Sequence, residues 1–321
     1  MKQIFIALCL VIVTSCTSIT TAQHKKISIN GGSGMFSIKG GLGNEEKTID
    51  VFYYKPKTYN QKTRILIVIP GSGRNGDSYR DSWIEEAERY NLLILSPRYQ
   101  EKQYPYEAYH LGGIVTSLNT EANITFIENT NQVFLDEENL TIDINKDQEK
   151  WIFNDFDRLF DLVISSLKST QKQYDIFGHS AGGQILHRFA IFHPTSKANK
   201  IIAANSGNYT LTDFETHFSF GLKNTHVSPK DLRKSFALNL TIFVGELDNE
   251  NSNGGILLRS KTVDKQGLHR LARAKFFYKT AKAKAQELGY PFNWKLKVIE
   301  GVGHSQRKMG DAAGIYLYNN Q

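Results

Sequence analysis

Five consecutive apolar residues, Ile65-Leu66-Ile67-Val68-Ile69, end at the turn signal Pro70-Gly71. The run is too short for a helix and shows no alternation of apolar and polar positions, so it reads as a strand buried on both faces. Such a strand needs cover above and below, and the chain supplies it by alternating further strands with helical stretches. Short strands are expected at Met35 to Ile38 and Thr48 to Tyr54, then at Arg64 to Ile69, Leu92 to Leu95, Tyr174 to Phe177, Lys200 to Ala204, Leu240 to Val244 and Trp294 to Ile299. Helices are expected at Asp77 to Tyr90, Gln148 to Leu167, Gly182 to Phe192 and Leu268 to Leu288. The pattern is that of an α/β chain with a mostly parallel central sheet and helices on both faces.

One segment breaks the rhythm. Residues 119–145 carry three short apolar runs separated by Asn, Asp and Glu. They read as small strands in a lid-like insertion after the fourth strand, either a wall of a binding site or plain decoration.

The 321 residues suit one domain, and 40% hydrophobic residues suffice for a sizeable core. The formal charge of +7 is spread along the chain rather than gathered into one run, which fits a solvated surface and gives no footprint for nucleic acid. At the start, Lys2 precedes the apolar run Ile4 to Val13 and small polar residues follow. That is the pattern of an export leader, too short to span a bilayer. Val13-Thr14-Ser15-Cys16 resembles a relaxed lipobox, whereas Thr20-Thr21-Ala22 suits ordinary cleavage before Gln23. The expected organisation is a leader over residues 1–22 and one domain over 23–321, exported to the periplasm, the cell surface or the medium. A membrane partner is expected only through a lipid on Cys16. Both cysteines, Cys9 and Cys16, fall in the leader, so disulfides, thiolate metal sites and cysteine nucleophiles are excluded from the rest.

Gly178-His179-Ser180-Ala181-Gly182 fits G-x-S-x-G between an expected strand and an expected helix. A tight turn there lifts a serine hydroxyl above the sheet, and the context is what makes the motif specific. Serine is a weak nucleophile and needs a base, itself oriented by an acid. His304, in Gly301-Val302-Gly303-His304 after the last strand, is the expected base. Asp248, in Gly245-Glu246-Leu247-Asp248 after another strand, is the expected acid, with Asp213 and Glu246 as alternatives. Donors for an oxyanion are expected from the backbone N–H of Ala181 and from the loop Pro70-Gly71-Ser72-Gly73, at Ser72 or else Gly73. No metal-binding motif and no P-loop ending occurs, so no cofactor or metal is expected.

With PGSG, GHSAGG, GELD and GVGH in this order, the chain resembles the α/β-hydrolase superfamily over nearly all of its length after the leader. More narrowly it is similar to secreted bacterial esterases of the polyhydroxybutyrate-depolymerase-like and feruloyl-esterase-like group. It departs from many of them in having Pro70-Gly71 where a His-Gly pair is frequent. The resemblance implies hydrolysis of a small-molecule or polysaccharide-linked ester through an acyl-enzyme. A serine peptidase and a non-catalytic binding protein of the same fold are the rival functions. Arg98, Tyr99, Tyr106 and Asn205 lie after expected strands and are expected to line the substrate pocket.

Overall fold

The computed structural model describes residues 27–252 and 254–319. The leader read over residues 1–22, with Cys16, lies outside them. In chain order the strands are β1 (Gly32–Lys39), β2 (Thr48–Lys55), β3 (Arg64–Ile69), β4 (Leu92–Tyr99), β5 (Val115–Leu118), β6 (Ile124–Phe126), β7 (Gln132–Leu135), β8 (Ile142–Ile144), β9 (Tyr174–His179), β10 (Ala198–Ala204), β11 (Leu240–Gly245), β12 (Leu257–Arg259) and β13 (Lys295–Ile299). The helices are α1 (Gly76–Asp81), α2 (Ile84–Tyr90), α3 (Tyr106–Tyr109), α4 (Phe153–Leu167), α5 (Ala181–Phe192), α6 (Pro229–Phe236), α7 (Arg270–Glu287) and α8 (Gln306–Tyr318).

Eight strands form the main sheet in the order β1-β2-β4-β3-β9-β10-β11-β13. Pairing is antiparallel from β1 to β4 and parallel from β4 to β13. Side chains of a strand alternate between faces, and that alternation divides the core in two. Ile65, Ile67, Ile69, Ile176, Ile201, Ala203, Ile242 and Val244 join one cluster with residues of α4, α5, α6 and α7. Their neighbours Leu66, Val68, Phe177, Ile202, Ala204 and Phe243 join the other, with Trp83, Met309, Ala313 and Leu317 of the opposite layer. The uninterrupted apolar runs are thus strands with a helical layer on each face.

Some elements differ from their expected bounds. The helix expected from Asp77 to Tyr90 is two helices, α1 and α2. The Ser82 hydroxyl donates to the Tyr79 carbonyl (2.8 Å), and Trp83 turns into the core, its ring 5.2 Å from that of Phe177. The helix expected from Gln148 begins only at Phe153, after a single tight turn. Residues 119–145 fold as β6, β7 and β8, and β12, far along the chain, pairs in parallel with β7. No helix among the described residues is long and apolar enough to cross a membrane.

Candidate active site

Ser180 stands between β9 and α5 with φ 58° and ψ −115°, a strained conformation for a residue with a side chain. Close packing holds it there. Its N–H donates to the Ala204 carbonyl of β10 at 2.9 Å. A Cβ on Gly178 would lie 2.4 Å from the Gly182 carbonyl oxygen, and one on Gly182 would lie 2.2 Å from that of Ile69. Glycine on both sides is therefore what lets α5 start so close to β3.

His304 follows β13 and Asp248 follows β11. His304 Nδ1 lies 2.7 Å from Asp248 Oδ2. A carboxylate there requires the proton on Nδ1, which leaves Nε2 as the nitrogen with a free lone pair. Of the three acids weighed from the sequence, only Asp248 meets the histidine. Asp213 caps its own turn, accepting from Thr216 N–H at 2.7 Å, and Glu246 accepts from Gly301 N–H at 3.0 Å. Burial pushes the Asp248 carboxyl up, but the His304 hydrogen bond and the nearby Arg270 cation bring it below its ordinary value. Burial, reinforced by Arg270, holds the His304 imidazole below its usual value despite the Asp248 bond. The pair at rest is an ionised carboxylate with a neutral imidazole able to take a proton. The His179 ring lies 4.6 Å from that of His304, and burial keeps it neutral too.

The backbone N–H of Ala181, at the first position of α5, and that of Ser72 have no acceptor among the described residues. Ser72 lies in the turn closed by Arg74 N–H to Gly71 O (3.0 Å). The Arg74 guanidinium donates to the carbonyls of Tyr99 (3.0 Å) and Tyr104, and Tyr109 Oη donates to Pro70 O at 2.7 Å. The loop is thereby fixed from both sides by Arg74 and Tyr109. Ser72, not Gly73, lines the cavity that Ser180 faces.

That cavity has a volume of about 260 Å³. Residues paired across neighbouring strands point to the same face, and here the pairs Ile124 with Leu135, Phe126 with Val133, and Val133 with Leu258 all line the cavity. The insertion therefore presents an apolar wall to Ser180. Beside it lies an outer cavity of about 710 Å³, bounded by residues 137–144, 215–224 and 262–265.

The four pocket residues expected from the sequence part company. Tyr106 lines the Ser180 cavity, stacked on His110 with ring centres 4.5 Å apart. Arg98 pairs with Asp50, its neighbour on β2, at 2.6 Å and does not line the Ser180 cavity. Tyr99 is buried in the core, its hydroxyl 3.4 Å from Asp155 Oδ2. Asn205 is fully buried, donating from Nδ2 to Gly303 O (3.0 Å) and accepting at Oδ1 from Gly245 N–H (2.9 Å). It braces the loops that carry His304 and Asp248, with both ends of its amide engaged inside the protein. Arg270, which touches Asp248, carries no motif that marks it in the sequence.

Neither protein-family models nor curated proteins give a match to the chain. Solved structures do. Poly(aspartic acid) hydrolase-1 from Sphingomonas sp. KT-1 is 33% identical, with 91% of this chain and 100% of that one covered and a TM-score of 0.76. LpqC, a poly(3-hydroxybutyrate) depolymerase from Bordetella parapertussis, is 28% identical over 91% of this chain and 92% of its own, with a TM-score of 0.77. The siderophore hydrolase EstA from Aspergillus nidulans, at 11% identity over 90% and 95% with a TM-score of 0.52, shares the fold. The motifs, the sheet and these likenesses agree, and the chain belongs to the α/β-hydrolase superfamily, as a hydrolase of its depolymerase- and esterase-like group.

Proposed function

We propose that the chain is an exported serine esterase that cleaves carboxylic esters with a compact apolar group next to the scissile bond. The observation that carries this reading is the 2.7 Å contact of His304 with Asp248 in a fold that sets Ser180 in a strained turn, facing an apolar cavity. Ser180 Oγ attacks the ester carbonyl while His304 Nε2 takes its proton, and Asp248 steadies the imidazolium. The N–H groups of Ala181 and Ser72 receive the developing oxyanion. His304 then returns the proton to the departing alkoxide oxygen, leaving an acyl group on Ser180. Water, deprotonated by the same histidine, releases the acid.

The test is hydrolysis of p-nitrophenyl esters from acetate to long chains by the wild type and by Ser180→Ala, together with labelling by a fluorophosphonate. Turnover and labelling that both vanish in the variant support the reading. Folded wild-type protein that neither turns over esters nor takes the label would overturn it in favour of a binding protein.

Amide cleavage in an anionic polymer is the second reading. The Sphingomonas relative is named for poly(aspartic acid), and Arg74 and Arg188 are buried cations with no carboxylate partner among the described residues. Arg74 Nη1 and all three guanidinium nitrogens of Arg188, however, donate to carbonyl and side-chain oxygens of the protein, and the cavity wall is apolar. Chain shortening of sodium poly(aspartate), read by size-exclusion chromatography, separates the two. The export reading is checked in the same preparation: metabolic labelling with palmitate that disappears in Cys16→Ser supports a lipoprotein, and an unlabelled chain starting at Gln23 supports ordinary cleavage.

A further inference from the structure

We propose that Arg270 is a positioning residue of the triad, which holds Asp248 in register with His304 and keeps His304 in its neutral, proton-accepting form. The inference rests on the triad reading given above. Arg270 is the first residue of α7 and is almost wholly buried. Its Nη1 lies 3.3 Å from Asp248 Oδ1, the oxygen that His304 does not use, and its Nη2 donates to Ile256 O at 2.9 Å. The main chain adds a second tie, because Leu271 N–H donates to the Asp248 carbonyl at 3.0 Å. The carboxylate is therefore gripped from both oxygens and cannot rotate away from the imidazole without leaving a buried cation unpaired, a costly state.

The guanidinium and the imidazole also flank one stretch of backbone. A Cβ on Gly255 would lie 2.9 Å from His304 Nε2 and 3.4 Å from Arg270 Nη2. A fixed cation that close opposes protonation of the imidazole and offsets part of the attraction of Asp248. The ionisable groups that face His304 are Asp248 from the loop after β11, Arg270 from α7 and His179 from the end of β9. Glu246 accepts from Gly301 N–H, Glu250 pairs with His269 at 3.4 Å, and Glu300, Arg307 and Lys308 are exposed.

The experiment compares Arg270→Gln, which keeps donors but loses the charge, with Arg270→Lys, which keeps the charge but loses the fork. The proton affinity of His304 is read twice, from the NMR titration of its ring protons, assigned with His304→Gln, and from the acid limb of kcat/KM on p-nitrophenyl acetate. The expected result is a midpoint about one pH unit higher in Arg270→Gln and close to wild type in Arg270→Lys. An Arg270→Gln protein that is folded, less active at every pH and unmoved in midpoint would assign Arg270 a purely structural role and overturn the proposal. Failure of both variants to fold would do the same. If the wild type shows no Ser180-dependent turnover, the esterase reading falls, while the NMR midpoint still decides the effect of Arg270.

Discussion

Leu140 of the insertion and Phe220 of the loop before α6 each line both the Ser180 cavity and the outer one, and Leu140 packs against the small apolar cluster that Phe220 forms with Leu135 and Val263. They form the partition between an inner room of about 260 Å³ and an outer room of about 710 Å³. On the esterase proposal, the inner room limits the group held next to Ser180, and Leu140 with Phe220 limits how far a longer group can continue outward.

Removing the partition should therefore move the preferred ester length. Phe220→Ala is expected to raise kcat/KM for long-chain p-nitrophenyl esters relative to acetate, at a cost of about 3 kcal/mol in stability for a buried aromatic. Leu140→Ala, half-buried, should cost less and shift the profile the same way. The checks are the chain-length profile and a urea melt. An unchanged profile in a folded variant would place the long chain elsewhere.

The depressed affinity of His304 for protons fixes the sign of the pH dependence. Only the neutral imidazole can accept the Ser180 proton, so kcat/KM should hold its plateau to a pH below the ordinary imidazole value of about 6.5 and then fall. A limb at or above that value in the wild type would show that the Asp248 bond outweighs burial and Arg270.

Stability should follow pH through other histidines. Burial, assisted by Arg74 and Arg188, lowers His110 to about 3. His179 and His187 are shifted in the same direction by burial. The unfolded chain binds these protons near 6.5 while the folded chain refuses them, so stability is full above that pH and is lost as pH falls toward 3. For His110 alone the loss is at most about 5 kcal/mol. Denaturant midpoints taken from pH 7 down to pH 4 should decline, and His110→Gln should flatten the decline.

Asn205 is expected to matter without touching a substrate. Asn205→Gly suits the local backbone, where φ is 48°, but strips the brace from Gly245 and Gly303. Two buried backbone groups left unpaired should cost about 2–4 kcal/mol. Looser placement of Asp248 and His304 should lower kcat by at least tenfold, with KM for p-nitrophenyl acetate little changed. A fall in KM-linked binding with kcat intact would instead return Asn205 to the pocket.

Much of the fold is legible in the sequence because the central strands are built around short apolar runs, such as Ile65 to Ile69, Leu92 to Leu95 and Ile201 to Ala204, that end at turns. Ser180, Ala181, Ser72, His304 and Asp248 were expected after strands, which the apolar runs mark, and the structure brings Ser72, Ser180 and Ala181 to one cavity and His304 to Asp248. Arg98, Tyr99 and Asn205 also follow strands, but a strand end says nothing about which way a side chain turns or whether its polar atoms are already engaged. Arg270 and β12 were beyond reach for another reason. Arg270 meets Asp248 only through tertiary packing, and the three-residue β12 exists because β7, more than a hundred positions earlier, offers it a partner.

The parallel pairing of β7 with β12 means that the wall over Ser180 is made of two pieces that leave the main sheet after different strands. Asn131 sews them further, donating from Nδ2 to Gly255 O at 2.8 Å beside His304. A graft that carried residues 119–145 alone into another scaffold would bring a sheet with one edge open and a new neighbour for the histidine. The transferable unit of the wall is the pair of segments, and exchanging it replaces the loop beside His304 together with the cavity lining.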